Sequence, residues 1–272
     1  MNSARPGSAT ATPLGKDVRA DVDEFGLEGV ALHLERVATV AAQSVGDYLR
    51  DAFANVQDVT EKRNFQDLVT RHDRETEEMV SAAVLTAVPD SGVLAEEGGR
   101  LGEGTVEWII DPIDGTSNFA LGLPHFAVSI GAVLQDQMVA GVIYDPIRDL
   151  TYAASLSGAT KNGQPLRSDS ATNDNGAMVI TSFPGPEALR ADAERALSIY
   201  RDLVDNVGAL RRMGCTTLAL CSVAEGSASA AYGFGINPWD VAAGYLILEQ
   251  AGGTYRHLGA DGPPWKAPGQ HR

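Results

Sequence analysis

The stretch Glu107-Trp108-Ile109-Ile110-Asp111-Pro112-Ile113-Asp114-Gly115-Thr116-Ser117-Asn118 constrains this chain more than any other. A short apolar run of strand character gives way within a few residues to two aspartates, a proline and a glycine. The end of such a strand is where α/β proteins assemble their sites. Asp111 and Asp114 are close enough to point into one small space. Hard cations such as Mg²⁺ prefer such oxygens, together with a backbone carbonyl such as that of Ile113. Gly115 lets an anion approach the backbone. Thr116 and Ser117 follow where a helix can start, and its free N–H groups stabilise negative charge. The same D-P-x-D-G spelling also suits an ordinary turn, because Asp, Pro and Gly are the usual turn formers.

Two further acidic segments keep company with it. Asn237-Pro238-Trp239-Asp240 reads as a helix start, with Asn237 as N-cap, Pro238 in the first helical position and Gly252-Gly253 closing the far end. Asp240 there either favours the helix dipole or adds a third carboxylate to the cluster. Leu94-Ala95-Glu96-Glu97-Gly98-Gly99 puts two acids after another short strand.

The remaining pattern is that of a mixed α/β protein. Val30, Leu34, Val37, Ala41, Val45 and Leu49 recur at helical spacing and predict one long helix ending near Asn55. A second helix is expected after Asp73, with Met79, Val80, Ala83, Val84 and Ala87 on one face and Pro89 as its stop. Strands are predicted over 93–95, 106–110, 126–134, 138–144 and 151–154. The Lys161-Asn162-Gly163-Gln164 turn and the polar stretch from Ser168 to Asn175 mark a boundary. Beyond it, strand-like segments at 178–181, 210–213, 228–232 and 253–256 alternate with helix-like ones at 186–200, 216–225 and 239–251, the pattern of a sheet covered by helices. The expected organisation is a disordered tail over 1–24, an α+β unit over 25–167 and an α/β unit over 168–272.

Charge narrows the partners. With 21 basic against 36 acidic residues the formal charge is −15, which repels nucleic acid and offers no basic stripe. No apolar run approaches the ~20 residues of a membrane span, and the first residues lack an apolar leader segment. A cytoplasmic protein is therefore expected. Cys215 and Cys221, six residues apart in a helical segment, do not suit a bridge or a metal site and read as reduced core residues.

Four segments, taken in order, resemble the successive motifs of the inositol monophosphatase family. They are N-F-Q-D-L-V-T-R-H-D at 64–73, L-A-E-E-G-G at 94–99, W-I-I-D-P-I-D-G-T-S-N-F at 108–119 and N-P-W-D-V-A-A-G at 237–244. The resemblance runs from about Leu32 to Arg256. It implies a layered αβαβα sandwich, shared with fructose-1,6-bisphosphatase, and a phosphomonoesterase using two to three Mg²⁺ per subunit, with Mn²⁺ as a substitute. Glu96, Asp111 and the Ile113 carbonyl would hold one ion, and Asp111, Asp114 and Asp240 a second. A third, weaker ion is expected near Glu96, with Asp67 and Lys62 in the loop that helps hold it; Asp67 and Thr70 equally suit polar residues leading a helix. Thr116, hydrogen-bonded to Asp73, would orient and deprotonate a water activated by the metal, with Glu96 taking part. Gly115, Thr116, Ser117 and Asp240 would face the substrate, and Arg211 and Arg212 could read a second phosphate or a carboxylate. A homodimer acting on a small phosphorylated polyol or sugar, such as inositol phosphate or histidinol phosphate, is implied. An adenosine bisphosphate nucleotidase and a non-catalytic regulatory member are the alternatives.

The chain departs from the family at two places. Gly233 stands where close inositol phosphatases carry an acidic residue, which puts inositol itself in doubt. After Gly252-Gly253-Thr254 the family continues through another strand and helix, whereas here a Gly/Pro-rich segment follows.

Overall fold

In the computed structural model of the protein the described residues are 17–55, 65–171, 173–257 and 263–265, with the backbone alone described over 65–70. Helices α1 (Val18–Ser44), α2 (Gly46–Asn55) and α3 (Phe65–Ala87) come first. Eight strands follow: β1 (Ser91–Ala95), β2 (Gly99–Leu101), β3 (Val106–Asp114), β4 (Ala127–Leu134), β5 (Gln137–Asp145), β6 (Leu150–Ser155), β7 (Gly158–Lys161) and β8 (Gln164–Pro165), with the short α4 (Thr116–Ala120) after β3. Strands β9 (Met178–Thr181), β10 (Ala209–Arg211) and β11 (Ala230–Tyr232) then alternate with helices α5 (Pro186–Asn206), α6 (Thr216–Ala224) and α7 (Pro238–Gln250).

The first eight strands form one sheet in the order β2-β1-β3-β4-β5-β6-β7-β8, antiparallel except for the β1–β3 pair. Its central strands are apolar on both faces because both faces are covered. Trp108 and Ile110 join Leu34, Ala38, Val80 and Val84 of α1 and α3 on one side. Ile109, Met138 and Ile143 join Leu218, Cys221, Leu246 and Ile247 of α6 and α7 on the other. The smaller sheet, β10-β9-β11, is parallel throughout and meets α6 through Ile180, Ala219 and Ala228. With α5 outermost, the layers run α, β, α, β, α, the expected class.

Glycine sets how closely α7 approaches the large sheet. Gly131 of β4 and Gly141 of β5 are directly paired. A Cβ on Gly141 would stand 2.8 Å from the Ala243 carbonyl and 2.9 Å from its Cα, and one on Gly131 3.0 Å from the Ala242 Cβ. Small residues on both sides therefore let the helix backbone lie against the sheet and fix where its first turn, with Asp240, comes to rest.

The structure corrects several sequence-based expectations. Helix α1 begins at Val18, capped by the Asp17 carboxylate, with Val18 and Asp21 buried, so residues 18–24 of the expected tail are helical; residues 1–16 lie outside the described residues. The single helix to Asn55 is divided at Val45, and α1 is interrupted at Gly26 (φ 75°). Helix α3 starts at Phe65, ahead of Asp73. Asp73 and Glu77 lie buried with Thr76, Val80 and Val84, while Met79, expected on the buried face, is exposed. Strands β2, β7 and β8 were not anticipated, being two to four residues long without an apolar run. The predicted strand at 253–256 is irregular: the Tyr255 N–H goes to Glu249 Oε1 at 2.9 Å and its ring packs on Tyr245. The expected turn at 161–164 is present, with Asn162-Gly163 in the left-handed conformation that tight hairpins require, and Gln135-Asp136 between β4 and β5 adopts it too.

Candidate metal centre

Strand parity alone would separate the two aspartates of the central motif. Residues three apart on a regular strand point to opposite faces. Asp111 pairs with Ser129 and Asp114 with Ala127, so three steps on β3 match two on β4. This bulge adds one residue, which returns both carboxylates to the same face. Pro112 sits inside the bulge, where its missing N–H breaks no ladder hydrogen bond. The face they share is that of α6 and α7, since Ile109 and Ala127 belong to that core.

Two other elements complete the cluster. Strand β1 runs parallel to β3 with Ala95 opposite Ile110, so Glu96 leaves the sheet beside Asp111, and the two carboxyl groups are hydrogen-bonded. Asp240 stands in the first turn of α7, which β4 anchors through the Ser129 hydroxyl on the Trp239 carbonyl at 3.4 Å. The Asp240 carboxylate accepts the Asn237 N–H at 2.7 Å, so it caps the helix and faces the cluster at once. Carboxylate oxygens of Asp111, Asp114 and Asp240 all lie within 4.8 Å of one another.

Crowding acids in this way opposes their ionisation. Burial, and then the charges of Asp240, Glu97 and Asp114, push Glu96 up to about 7. Burial and Asp114 push Asp240 up to about 6. Asp111, fully enclosed, is held well above the usual carboxylate range by burial and by Asp114, Glu96 and Asp240. Asp114 is raised by burial as well, against the pull of the bonds it accepts from Thr217 and Cys215. Asp73 rises to about 8 through burial and the nearby Glu97 and Glu96. A divalent cation would relieve this repulsion, and the donor set fits a hard one. It is carboxylate and carbonyl oxygen, with no imidazole or thiolate. The neighbouring Cys215 thiol is pushed up by burial and serves as an S–H donor, 3.1 Å from Asp114 Oδ2.

The phosphate-facing loop follows directly. Gly115 caps α4 at φ 93°, ψ 32°, a left-handed conformation that favours glycine. A side chain there would also meet the His125 carbonyl at 3.0 Å. Ser117 is exposed in the first turn of α4. The expected Thr116–Asp73 hydrogen bond is not formed. The Thr116 hydroxyl instead turns back on the Ile113 carbonyl three residues earlier, at 3.0 Å, a local bond such side chains make readily.

Other expected residues fare variously. Arg211 ends β10 and Arg212 follows it; both are exposed, with bonds to the Leu210 and Pro184 carbonyls and none to the cluster. Lys62, and the side chains of Asp67 and Thr70, lie outside the described residues. Sequence reasoning missed four residues that shape the site. Thr217 gives Asp114 Oδ2 both its N–H and its hydroxyl, each at 2.6 Å, and Cys215 adds its thiol. Glu77 accepts the N–H groups of Glu97 (2.9 Å) and Gly98 (2.7 Å), clamping the loop that carries Glu96. Asn118 ties α4 to the carbonyls of His125 and Met213. Glu77 left a signal in its spacing of four from Asp73 on one helix face, and Asn118 in its place at the end of the central motif; the link of Thr217 and Cys215 to Asp114 left none.

The model of the inositol monophosphatase family matches residues 32–271, nearly the whole chain. The protein belongs to this family. Among its relatives, the fructose-1,6-bisphosphatase/inositol-1-monophosphatase of Aquifex aeolicus is 36% identical over 236 residues, covering 86% of this chain and 88% of that protein. The Nus factor SuhB of Pseudomonas aeruginosa is 36% identical over 224 residues, covering 80% and 82%. Among solved structures, the extragenic suppressor protein SuhB of Bartonella henselae superposes with a TM-score of 0.71 at 31% identity, over 80% of this chain and 84% of that one. The family assignment agrees with the sequence-based expectation, and no helix among the described residues is long and apolar enough to cross a membrane.

Proposed function

We propose that this inositol monophosphatase family member is a Mg²⁺-dependent phosphomonoesterase that hydrolyses a small phosphate ester by attack of water. The observation that carries the reading is the meeting of Glu96, Asp111, Asp114 and Asp240, from two strands and a helix start, beside the glycine-led turn at Gly115. Glu96, Asp111, Asp114, Asp240 and the Ile113 carbonyl would hold the metal. When bound, Mg²⁺ supplies a Lewis acid for the phosphoryl oxygens and lowers the pKa of water.

The chain's own residues do the rest. The N–H groups of Gly115 and Thr116, at the start of α4, would offer donors to phosphoryl oxygens as charge shifts in the transition state. Asp73, raised to about 8, suits a proton acceptor near neutral pH. It lies on α3 beside the Glu96 loop, and its partnership with Thr116 belongs to the substrate-bound state in this reading. In this reading the clustered carboxylates serve as metal ligands and no protein nucleophile is required, so water attacks and no covalent phosphoenzyme is expected. Pairing into a homodimer is part of the same proposal, and light scattering reads it directly.

Phosphate release from a panel of monoesters with Mg²⁺ tests the function. The native chain should turn over at least one ester, and Asp111→Asn should lose about a thousandfold or more, the several kcal/mol that a metal supplies to such a transition state. A native chain inert across the panel favours a second reading, a non-catalytic factor, which the relatives named Nus factor SuhB at 33–36% identity support.

A further inference from the structure

The strands of the smaller sheet run parallel, so the segments leaving their C-terminal ends share one edge. Two of these segments reach the carboxylates. After β10 comes Cys215, on Asp114; after β11 comes Asn237, on Asp240. The third, after the central β9, carries Phe183. Three aromatic rings meet on this edge: Phe183–Tyr232 at 6.3 Å between centroids, Phe183–Phe234 at 5.7 Å and Tyr232–Phe234 at 6.2 Å, the last pair perpendicular. Phe183 is buried and Tyr232 half-buried, while Phe234 is 69% exposed and Ile236 beside it 37%.

Phe234 therefore stands out from a floor made by the other two rings. It is three residues from Asn237, so its Cα lies within about 11 Å of the Cα whose own N–H touches Asp240. The loop that presents it depends on glycine: Gly235 has φ 65°, and a Cβ on Gly233 would stand 2.9 Å from Ile236 Cδ1. Along Ala230–Ile236 no side chain carries a carboxylate or amide, and the Tyr232 hydroxyl is already hydrogen-bonded to Thr181. Arg212, on the Pro184 carbonyl, borders the rings with donors alone. Polyol hydroxyls brought against the ring faces would lose water and meet no carboxylate or amide side chain of this loop in exchange. A flat unsaturated ring would lose nothing of the kind and would gain offset or edge contacts.

We propose that Phe183, Tyr232 and Phe234 form a wall for the alcohol portion of the substrate, and that the preferred esters are phosphates of alcohols bearing a planar aromatic ring. This rests on the phosphomonoesterase reading and narrows it. The test compares kcat/KM with Mg²⁺ for benzyl phosphate, cyclohexylmethyl phosphate and glycerol 2-phosphate. The first two differ in ring flatness and little in size or leaving group. Benzyl phosphate should lead cyclohexylmethyl phosphate by about tenfold. Phe234→Ala should lower the benzyl value about tenfold, mainly through KM, leave glycerol 2-phosphate within about twofold, and be rescued by Phe234→Trp. Equal values for the two ring esters, or an equal fall for all three, overturn the wall. A native chain inert toward every ester sinks the phosphatase reading by itself. Calorimetry with benzylphosphonate and cyclohexylmethylphosphonate in Mg²⁺ then decides the wall. About tenfold tighter benzyl binding, lost in Phe234→Ala, supports it; equal or absent binding refutes it.

Discussion

The two sheets of this molecule are built to different standards. In the large sheet, β4 is buried along its whole length and β5 from Met138 onward, with helices on both sides. In the small one, α5 buries only Ala196 among its 21 residues and leaves Leu189, Leu197 and Val204 exposed. All four clustered carboxylates hang on the first standard: Glu96, Asp111 and Asp114 are carried by strands of this sheet, and Asp240 is held against it by glycine contacts. The start of α6 contributes hydrogen-bond donors to Asp114, and the small sheet an aromatic edge. Repulsive carboxylates need a frame that cannot relax apart, because repulsion left alone would spread them. Groups that meet only the rest of a ligand carry no such requirement.

Substitutions can break or sharpen this contrast. The largest effect is expected from Gly141→Val, which forces a side chain into the Ala243 backbone and drives α7 off the sheet. A stability loss of about 3 kcal/mol or more in denaturant melts is expected, together with loss of Mg²⁺ binding as Asp240 moves away. Gly115→Ala combines a left-handed backbone with the His125 carbonyl at 3.0 Å. Displacing the turn should lower kcat by about a hundredfold, while circular dichroism still reports a folded chain. Glu77→Gln leaves one of the two clamped N–H groups without its acceptor, and calorimetry should show Mg²⁺ bound about tenfold more weakly. At the other end, Leu197→Gln on α5 should change stability by less than about 0.5 kcal/mol. A large loss there would mean that the outer helix is not the loosely bound element its exposure implies.

The same contrast explains what the sequence revealed. Asp111, Asp114, Asp240 and Glu96 were legible because each follows an apolar run or a helix-start signal, and those signals are local. The bulge was not, since pairing three residues against two is decided by the partner strand; the motif alone suggested a turn after the strand. Thr217 and Cys215 were invisible for a related reason, because their link to Asp114 spans about a hundred residues of chain and no periodicity encodes it. The start of α3 was misplaced because its buried face turns polar at Asp73, Thr76 and Glu77, where it meets the site and not the core. Thr116 shows the opposite failure: a long-range partner was expected, and a bond to Ile113, three residues away, won.

Everything in the functional reading depends on hard cations gathering where those acids converge. Crystals soaked in Mn²⁺ and measured at its absorption edge would locate the ions without reference to activity. The account predicts anomalous peaks bridged by Asp111, with Asp114 and Asp240 on one side and Glu96 on the other. Peaks confined to the protein surface, or none at concentrations that saturate related carboxylate sites, would contradict it.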